Sequence, residues 1–404
     1  METIDCDVLV VGGGPAGCSA ARAASLSGKD VLLIDKKDNF KGITCAEGFG
    51  SYLLPLLPFK IPSKLFKKKT SGMRFMSGDV EVIKKGGFYK GWTLEREEFD
   101  EWLMKKAKKS GSAVRRKCEL MEIKYSGDYN VEECKIDHDG KEILVRPSKV
   151  VASDGVNSDV AKSLEVLKEN EVGHVYSWEL DNLDIKYPNL EQLFFGDFAP
   201  RAYAYIFPKS NSRANVGVAS TLSSEGLEEK FDYFLDNVVS DQMGNFTKKV
   251  ERSGKAPTKN QISRWRYGDI VFTGDAANQN FKPYVEGILP GIICGHIAGE
   301  FASGSSSREY RAQVMKKLGN SFQESDLIFD KMYEIYDKFD GEKRDLLVMY
   351  LFTRNSVEAV ERVEDMPVGE LKKTISKEGG GIDRLVSMLW YISWYSKVLT
   401  TGSD

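Results

Sequence analysis

Histidine is scarce in this 404-residue chain, which holds only His138, His174 and His296. A histidine-built metal centre is thereby excluded, and no metal site is expected. The six cysteines (Cys6, Cys18, Cys45, Cys118, Cys134 and Cys294) include no C-x-x-C pair and are too sparse for a disulfide framework. An excess of one charge is lacking as well. With 57 Lys and Arg against 60 Asp and Glu the net charge is −3, so the chain as a whole is no nucleic-acid binder and only local basic patches remain. No stretch reaches the ~20 consecutive apolar residues that a bilayer crossing needs, and the mean hydropathy is −0.35. The N-terminus opens into a strand-like run, so no signal peptide and a cytoplasmic location are expected. Internal repeats and low-complexity tracts are missing too. What is there, 41% hydrophobic and 29% charged residues, is the make-up of a soluble globular protein. The length suits two or three domains of roughly 150 residues.

The first thirty-five residues are the most informative. Asp7-Val-Leu-Val-Val11 reads as a strand buried on both faces. Gly12-Gly13-Gly14-Pro15-Ala16-Gly17 follows, then a helix of small residues, then a second buried strand, Val31 to Ile34, ending on Asp35. This is a βαβ unit with G-x-G-x-x-G at Gly12, Gly14 and Gly17. Gly12 makes the tight turn, Gly14 lets a pyrophosphate approach the backbone, and Gly17 lets helix and strand pack closely. The helix N-terminus offers free N–H groups and a positive dipole end to phosphates. Asp35 can accept hydrogen bonds from both ribose hydroxyls, and an acid there argues against a 2′-phosphate. The ligand is therefore FAD or NAD rather than NADP.

Further along, residues 36 to 70 read as irregular, with short strands expected at Gly72 to Met76, Val80 to Lys84 and Phe88 to Thr93. An amphipathic helix is expected from Arg96 to Ala107, with Phe99, Leu103 and Ala107 on one face. Buried strands close on Asp154-Gly155 and on Gly274-Asp275, and a β-rich, aromatic stretch covers about 171 to 220. A helix near Leu227 to Val238 leads into a basic, irregular connector, and helices dominate beyond Gly287. Strand ends that converge on one crevice explain the three separated motifs. The fold class is α/β with an α+β insertion: a Rossmann-like FAD/NAD(P)-binding domain, an inserted antiparallel sheet and a C-terminal helical region. The expected boundaries are 1–70, 94–165 and 255–305 for the cofactor domain, 71–93 and 166–254 for the substrate domain, and 306–404 for the helical region.

Asp7-Val-Leu-Val-Val-Gly-Gly-Gly-Pro-Ala-Gly17, Ser153-Asp-Gly-Val-Asn-Ser158 and Thr273-Gly-Asp-Ala-Ala277 resemble the three FAD motifs of the p-hydroxybenzoate-hydroxylase-like flavoproteins. Within that group, Thr44-Cys-Ala-Glu-Gly48 is similar to the Cys-Ala/Gly-Glu-Gly loop of the geranylgeranyl reductase family. Tyr203-Ala-Tyr-Ile-Phe-Pro-Lys209 with Ala214-Asn-Val-Gly217 resembles that family's Tyr-x-Trp-x-Phe-Pro motif and its continuation. The resemblance implies FAD-dependent reduction of isolated C=C bonds in geranylgeranyl chains, in archaeal members those of membrane ether lipids. It implies FAD contacts at Gly12, Gly14, Ala16, Gly17, Asp35, Lys36, Cys45, Ala46, Gly48, Arg96, Glu119, Asp154, Asp275, Gly287 and Ile288. Three departures stand out. Tyr205 replaces the motif tryptophan, Asp35 replaces the commoner Glu, and Val285-Glu286 stand where the family has small residues in the loop bordering the flavin.

The chemistry so implied is a hydride from reduced flavin N5 to one carbon and a proton to the other, inside a dry site with one placed acid. Tyr203, Tyr205 and Phe207 alternate along one strand and share a face. They line the substrate cavity together with Pro208, or serve as ordinary sheet packing. Aromatic faces there also stabilise developing cationic charge. Cys45 and Glu47 are candidates for proton donor or for orienting the donor, against a loop cysteine packed only by its backbone and a Glu47 acting as an anchor. The catalytic candidates are thus Cys45, Glu47, Tyr203 and Tyr205. Cys294 could pair with Cys45. Asp275 should bond the ribityl or pyrophosphate region. The helix after Gly287 should aim its N-terminus at the flavin pyrimidine oxygen, which stabilises the anionic reduced flavin.

Leu385 to Leu399, with Trp390, Tyr391, Trp394 and Tyr395, suits a membrane interface, a lipid tunnel or plain core packing. Basic runs at Lys64 to Lys69, Lys105 to Lys109 and Arg115 to Lys117 either meet anionic headgroups at the inner face of the membrane or form solvated faces. The expected partners are a prenylated lipid and an external electron donor, either a ferredoxin-like protein or NAD(P)H, since no second G-x-G-x-x-G exists for a nicotinamide cofactor. No nucleic-acid partner is expected. Two other functions fit the same fold: an FAD monooxygenase and a non-catalytic flavin redox protein.

Overall fold

The computed structural model describes residues 2–166, 172–258, 264–304 and 309–377. Its first sheet is the one the glycine motif implies. Ile270–Phe272, Lys141–Ala152, Glu2–Val11, Val31–Asp35 and Ala113–Arg116 lie side by side and parallel, in that order. Their central residues, such as Val8, Leu9, Leu33, Val150 and Val271, are wholly buried, as continuous apolar runs require. An antiparallel hairpin, Cys118–Ser126 with Asn130–His138, extends the first half of Lys141–Ala152.

Helix Pro15–Leu26 covers one face of this sheet and packs against helix Ile288–Ala302. The approach is close because both helices present small residues. A Cβ on Gly295 would overlap the carbonyl oxygen of Ala16, and one on Gly299 that of Ala20. Apart from the His296–Glu300 pair, Ile288–Ala302 is apolar and largely buried. Fully buried Leu289 and Ile292 each contribute roughly 1.5–3 kcal/mol.

The second sheet runs in the order Thr247–Pro257, Val172–Asp181, Ala214–Ser220, Ala204–Pro208, Leu190–Phe195, Gly72–Ser77, Val80–Lys85. It is not purely antiparallel as expected, because Leu190–Phe195 pairs parallel with Gly72–Ser77. That pairing joins two separated chain segments into one sheet. The connector expected to be irregular is the strand Thr247–Pro257, paired along Val172–Asp181. It is an edge strand whose exposed, mixed-charge side chains hide the period-two pattern while discouraging edge-to-edge association.

A third sheet was also missed. Gly48–Gly50 and Phe66–Thr70, both within the stretch expected to be irregular, pair antiparallel with Gly91–Leu94. The strand expected from Phe88 starts only at Gly91, because Gly86 and Gly87 at φ 81° and 49° turn the chain through a short 3-10 segment, Gly87–Tyr89. Helix Leu227–Tyr233 passes into a π-helical turn at Phe234–Val238.

Helices Ser321–Lys338, Gly341–Arg354 and Val368–Lys377 lie on the second sheet, with Phe329, Met332, Leu347 and Phe352 packed against Phe75, Leu193, Tyr205 and Phe207. The other face of that sheet, carrying Ala204, Ile206, Val216 and Val218, is covered by Phe231 and Phe234. Leu385 to Leu399 lies outside the described residues. Among the described residues no helix is long and apolar enough to cross a membrane.

Candidate active site

A cavity of about 580 Å³ runs from the glycine turn to the aromatic face of the second sheet. At the nucleotide end each glycine has a distinct steric reason. A Cβ on Gly12, at φ 97°, would overlap the backbone of Ser153, and one on Gly17 would overlap the Gly12 carbonyl. A Cβ on Gly14 would meet no atom within 4 Å, because it points into the cavity that Gly14 lines. Pro15 at the first helical position leaves the helix N-terminus facing that space.

Asp35 lines the cavity and accepts the Gly13 amide at 2.6 Å and the Lys37 amide at 2.7 Å, one on each oxygen. Each oxygen keeps a further lone pair for a hydroxyl donor. Lys36 bridges Glu119 at 3.5 Å and Asp159 at 3.6 Å, and all three line the same end. Asp154 takes the Val160 amide at 3.1 Å on one oxygen, while its other oxygen is buried with no hydrogen-bond partner. Burial pushes that carboxyl up. An orphaned acceptor on the cavity wall is costly unless a ligand supplies the donor.

Arg96, at the start of helix Arg96–Lys109, grips Asp100 with Nη2–Oδ2 at 2.7 Å. Burial pulls the guanidinium pKa down, but Asp100 and Cys45 more than offset this and the net direction is up. Asp275 lines the cavity with its carboxyl pushed up by burial, partly countered by Arg96 and Lys282. A Cβ on Gly287 would stand 3.0 Å from Asp275 Oδ1. Gly287, Ile288 and Gly291 present the N-terminus of Ile288–Ala302 to the cavity. Ala16, Cys45 and Ala46 complete this wall. A positive helix end, an open glycine, a ribose-ready acid and an orphaned acceptor together fit a dinucleotide with a flavin.

Not every expected contact reaches the cavity. Gly17 and Gly48 do not line it. Gly17 serves helix–strand packing, and Gly48 lies under the ring of Phe207, where a Cβ would come within 2.7 Å. Tyr203 and Tyr205 do line it, whereas Phe207 packs over Gly48 and Pro208 spends its carbonyl on Thr93 Oγ1 at 2.8 Å. The sheet face shared by the three aromatics is as expected, since all belong to one apolar cluster. The cavity simply ends before Phe207. Tyr284 and Val285, in the loop expected to border the flavin, supply the opposite wall together with Phe329, Met332 and Phe352, which the sequence did not single out. Phe329 and Met332 stand three residues apart on helix Ser321–Lys338, a spacing that also describes any core helix.

Cys45 and Glu47 part company. Cys45 lines the cavity, with its carbonyl held by Asn215 Nδ2 at 2.7 Å and its sulfur accepting the Glu47 amide at 3.3 Å. Glu47 sits at φ 65° and points the other way, into a buried ionic cluster. Its Oε1 accepts the Arg96 amide at 2.8 Å, and its Oε2 meets Lys209 Nζ at 2.5 Å and Asn215 Nδ2 at 3.2 Å. Lys209 also holds Glu95 at 2.8 Å and Glu179 at 3.0 Å, while Arg213 and Arg252 pair with Glu179. The three carboxylates converge closely enough for a metal ion, but an ammonium stands among them. Glu47 does not line this cavity, and its carboxylate is committed to the ionic cluster.

Cys294 is buried inside its helix, does not line the cavity, and is a free thiol like Cys45. The basic runs are partly engaged within the protein. Lys67 pairs with Glu98, Lys69 lies over Trp92, Arg115 pairs with Glu2 and Arg116 with Glu101.

The parallel sheet, the glycine turn and this cavity define an FAD-binding flavoprotein. The FAD binding domain family matches residues 7–62, and the geranylgeranyl reductase catalytic domain family matches residues 173–255. The digeranylgeranylglycerophospholipid reductase of Methanosarcina acetivorans is 33% identical over 327 residues, 77% of this chain and 79% of that protein. That of Methanococcus aeolicus is 28% identical over 84% of this chain and 89% of its own length. A geranylgeranyl bacteriochlorophyll reductase-like protein from Thermoplasma acidophilum superposes with TM-score 0.78 at 25% identity, covering 93% of this chain and 99% of that one. A flavin-dependent halogenase, at TM-score 0.68 and 15% identity over 96% of this chain and 77% of that one, shares the fold alone. The chain belongs to the geranylgeranyl reductase family, and its cofactor is FAD.

Proposed function

We propose that this protein is an FAD-dependent reductase of the isolated C=C bonds in geranylgeranyl chains of archaeal-type ether lipids or their precursors. One observation carries the reading: a single cavity joins the dinucleotide turn at Gly14 to an apolar wall of Tyr203, Tyr205, Tyr284, Met332 and Phe352. Bound FAD supplies the two electrons that saturating a double bond requires. The chain's own residues do the rest. Gly14 and the N-terminus of Pro15–Leu26 hold the pyrophosphate, Asp35 and Glu119 the adenosine ribose region, and Asp154, Arg96 and Asp275 the middle of the cofactor. The N-terminus of Ile288–Ala302 stabilises negative charge on the flavin ring.

The aromatic wall excludes water, presents ring faces to cationic charge developing on the alkene, and aligns an extended prenyl chain. Cys45 orients the reacting end of the cavity, fixed by Asn215 and by the Glu47–Lys209 anchor. The same reading assigns cofactor binding to 1–70, 94–165 and 255–305 and substrate contact mainly to 71–93 and 166–254. It takes the electrons from a ferredoxin-like protein or NAD(P)H, and it brings the lipid in from the inner face of the membrane.

The test is anaerobic incubation of the dithionite-reduced protein with digeranylgeranylglyceryl phospholipid, followed by mass spectrometry. Products heavier in steps of two hydrogens are expected. Unchanged lipid, or oxygen incorporation on admitting air, would overturn the reading.

A further inference from the structure

Two carboxyl groups lie behind the cavity wall and take no part in the site described above. Glu286 stands in the loop after Pro283, between Val285 and Gly287, both of which line the cavity. Its side chain turns away, accepting the Tyr52 hydroxyl at 2.8 Å and the Gly50 amide at 3.0 Å. Glu191 lies on the sheet face that carries Leu193 and Phe195, and accepts Thr70 Oγ1 at 3.1 Å. The two groups flank one small sheet. A Cβ on Gly50 would stand 3.5 Å from Glu286 Oε2, and one on its pairing partner Gly91 would stand 2.9 Å from Glu191 Oε1.

Among the described residues no Lys, Arg or His forms an ion pair with either carboxyl. The titratable groups facing the pair are Tyr52, Tyr203 and Tyr284. Glu47 is turned into its own cluster, and Lys84, in the same register row two strands from Glu191, has a partner of its own. Two enclosed carboxyls with no cation among the described residues cannot both be ionised cheaply, so the site stores at least one proton. Burial pushes Glu286 up to about 7, and burial with the nearby Glu286 charge pushes Glu191 up to about 8.

The hydroxyls on the cavity wall are poorer acids. Tyr203 donates to the Tyr284 carbonyl, Tyr205 to Asn215 and Tyr284 to the Phe352 carbonyl, and burial raises all three above the ordinary phenol value.

We propose that the Glu286–Glu191 pair is the proton store of the reaction, with Glu286 delivering the proton that the alkene takes up. This rests on the reductase reading. The O–H bond of the Glu286 carboxyl breaks, and the π electrons of the double bond form the new C–H bond at one carbon. The other carbon takes the hydride equivalent from reduced FAD, which is oxidised by two electrons. The Glu286 carboxylate then recovers a proton from solvent, with Glu191 as its reserve. Val285 and Gly287 form the wall on either side of it, so the transfer runs by side-chain rotation or through one water, as general acids do.

The test uses the FAD-loaded protein with digeranylgeranylglyceryl phospholipid. E286Q should lower kcat about a hundredfold or more with KM, FAD content and melting temperature near those of the parent, and E286D should recover part of the loss. The parent should lose kcat above about pH 7, the limb should vanish in E286Q, and it should move to higher pH in Y52F, which removes a donor that favours the carboxylate. Infrared spectra should show a protonated-carboxyl stretch that titrates in the parent and is missing in E286Q. E286Q activity within threefold of the parent, a limb unmoved by Y52F, or no titrating carboxyl band each overturns the proposal. Should the parent reduce no such lipid while the carboxyl band titrates as stated, the reductase reading falls and takes the catalytic role with it.

Discussion

Replacing Lys209 with Met is the sharpest perturbation of the anchor that holds the Cys45 loop. The Lys209 side chain is 1% exposed, and its ammonium lies 2.5 Å from Glu47, 2.8 Å from Glu95 and 3.0 Å from Glu179. Methionine fills the same volume but leaves three carboxylates to Arg213, which is partly exposed, and to Arg252, whose Nη1 stands 3.9 Å from Glu47. Removing one partner of a buried ionic contact costs about 3–5 kcal/mol. At about 2.1 cal/mol/K of unfolding entropy per residue, a chain of this length loses roughly 4–6 °C of melting temperature. Differential scanning calorimetry at pH 7 measures it, and K209M/E47Q should recover part of the loss, because one stranded charge is removed with its partner. The acid limb gives a second reading. Burial raises Glu179, but Lys209, Arg213 and Arg252 outweigh it and hold the carboxyl down at about 2. Its contribution is therefore present above the unfolded value near 4.5 and lost as pH falls toward 2. K209M should flatten that loss. A K209M melting temperature within 1 °C of the parent (about 1 kcal/mol) together with an unchanged acid limb would refute the anchor.

Gly14→Ala should leave the apo protein as stable as the parent, since its Cβ meets no protein atom, while weakening FAD binding at least tenfold (about 1.4 kcal/mol); equal FAD affinity by fluorescence titration would contradict the phosphate assignment. Gly17→Ala should destabilise the protein by about 1–3 kcal/mol in chemical denaturation, because the added Cβ overlaps the Gly12 carbonyl and lies 2.5 Å from Ser153 Oγ. Asp275→Ala should purify without its yellow cofactor, and full colour with full activity would remove Asp275 from the site. With Glu286 raised to about 7 and Glu191 to about 8, stability should fall with rising pH from about 4.5, Glu286 contributing up to about 1.4 kcal/mol per unit as far as about pH 7 and Glu191 carrying the fall on to about pH 8. E286Q should keep only the Glu191 part of that slope, which melting curves across the range will show.

The cofactor half of the fold was legible because its signals are local. Buried runs of Val, Leu and Ile read as parallel strands, and Gly12 and Gly17 carry steric reasons that the structure repeats at atomic distance, while Gly14 faces open cavity. What the sequence concealed depends on partners distant in the chain. Thr247–Pro257 is a charged edge strand whose pattern means nothing until Val172–Asp181 lies beside it. Gly48–Gly50 and Phe66–Thr70 are too short for any periodicity to emerge before Gly91–Leu94, itself expected as a strand, lies between them. The site divides along the same line. Asp35, Arg96, Asp154 and Asp275 follow from motifs. Glu47 and Lys209, 162 positions apart (209 − 47) and 2.5 Å distant in space, could not be paired from spacing. Glu286 was noticed only as a bulky departure in a loop of small residues. The structure shows Val285 taking the cavity wall and Glu286 turning behind it.

The most direct test is anaerobic stopped-flow mixing of the fully reduced, FAD-loaded protein with digeranylgeranylglyceryl phospholipid. The account predicts that the oxidised-flavin absorbance returns with one flavin reoxidised per double bond reduced, and that a fully saturated lipid of the same headgroup leaves the flavin reduced. Reoxidation by neither lipid, or by both alike, would contradict it.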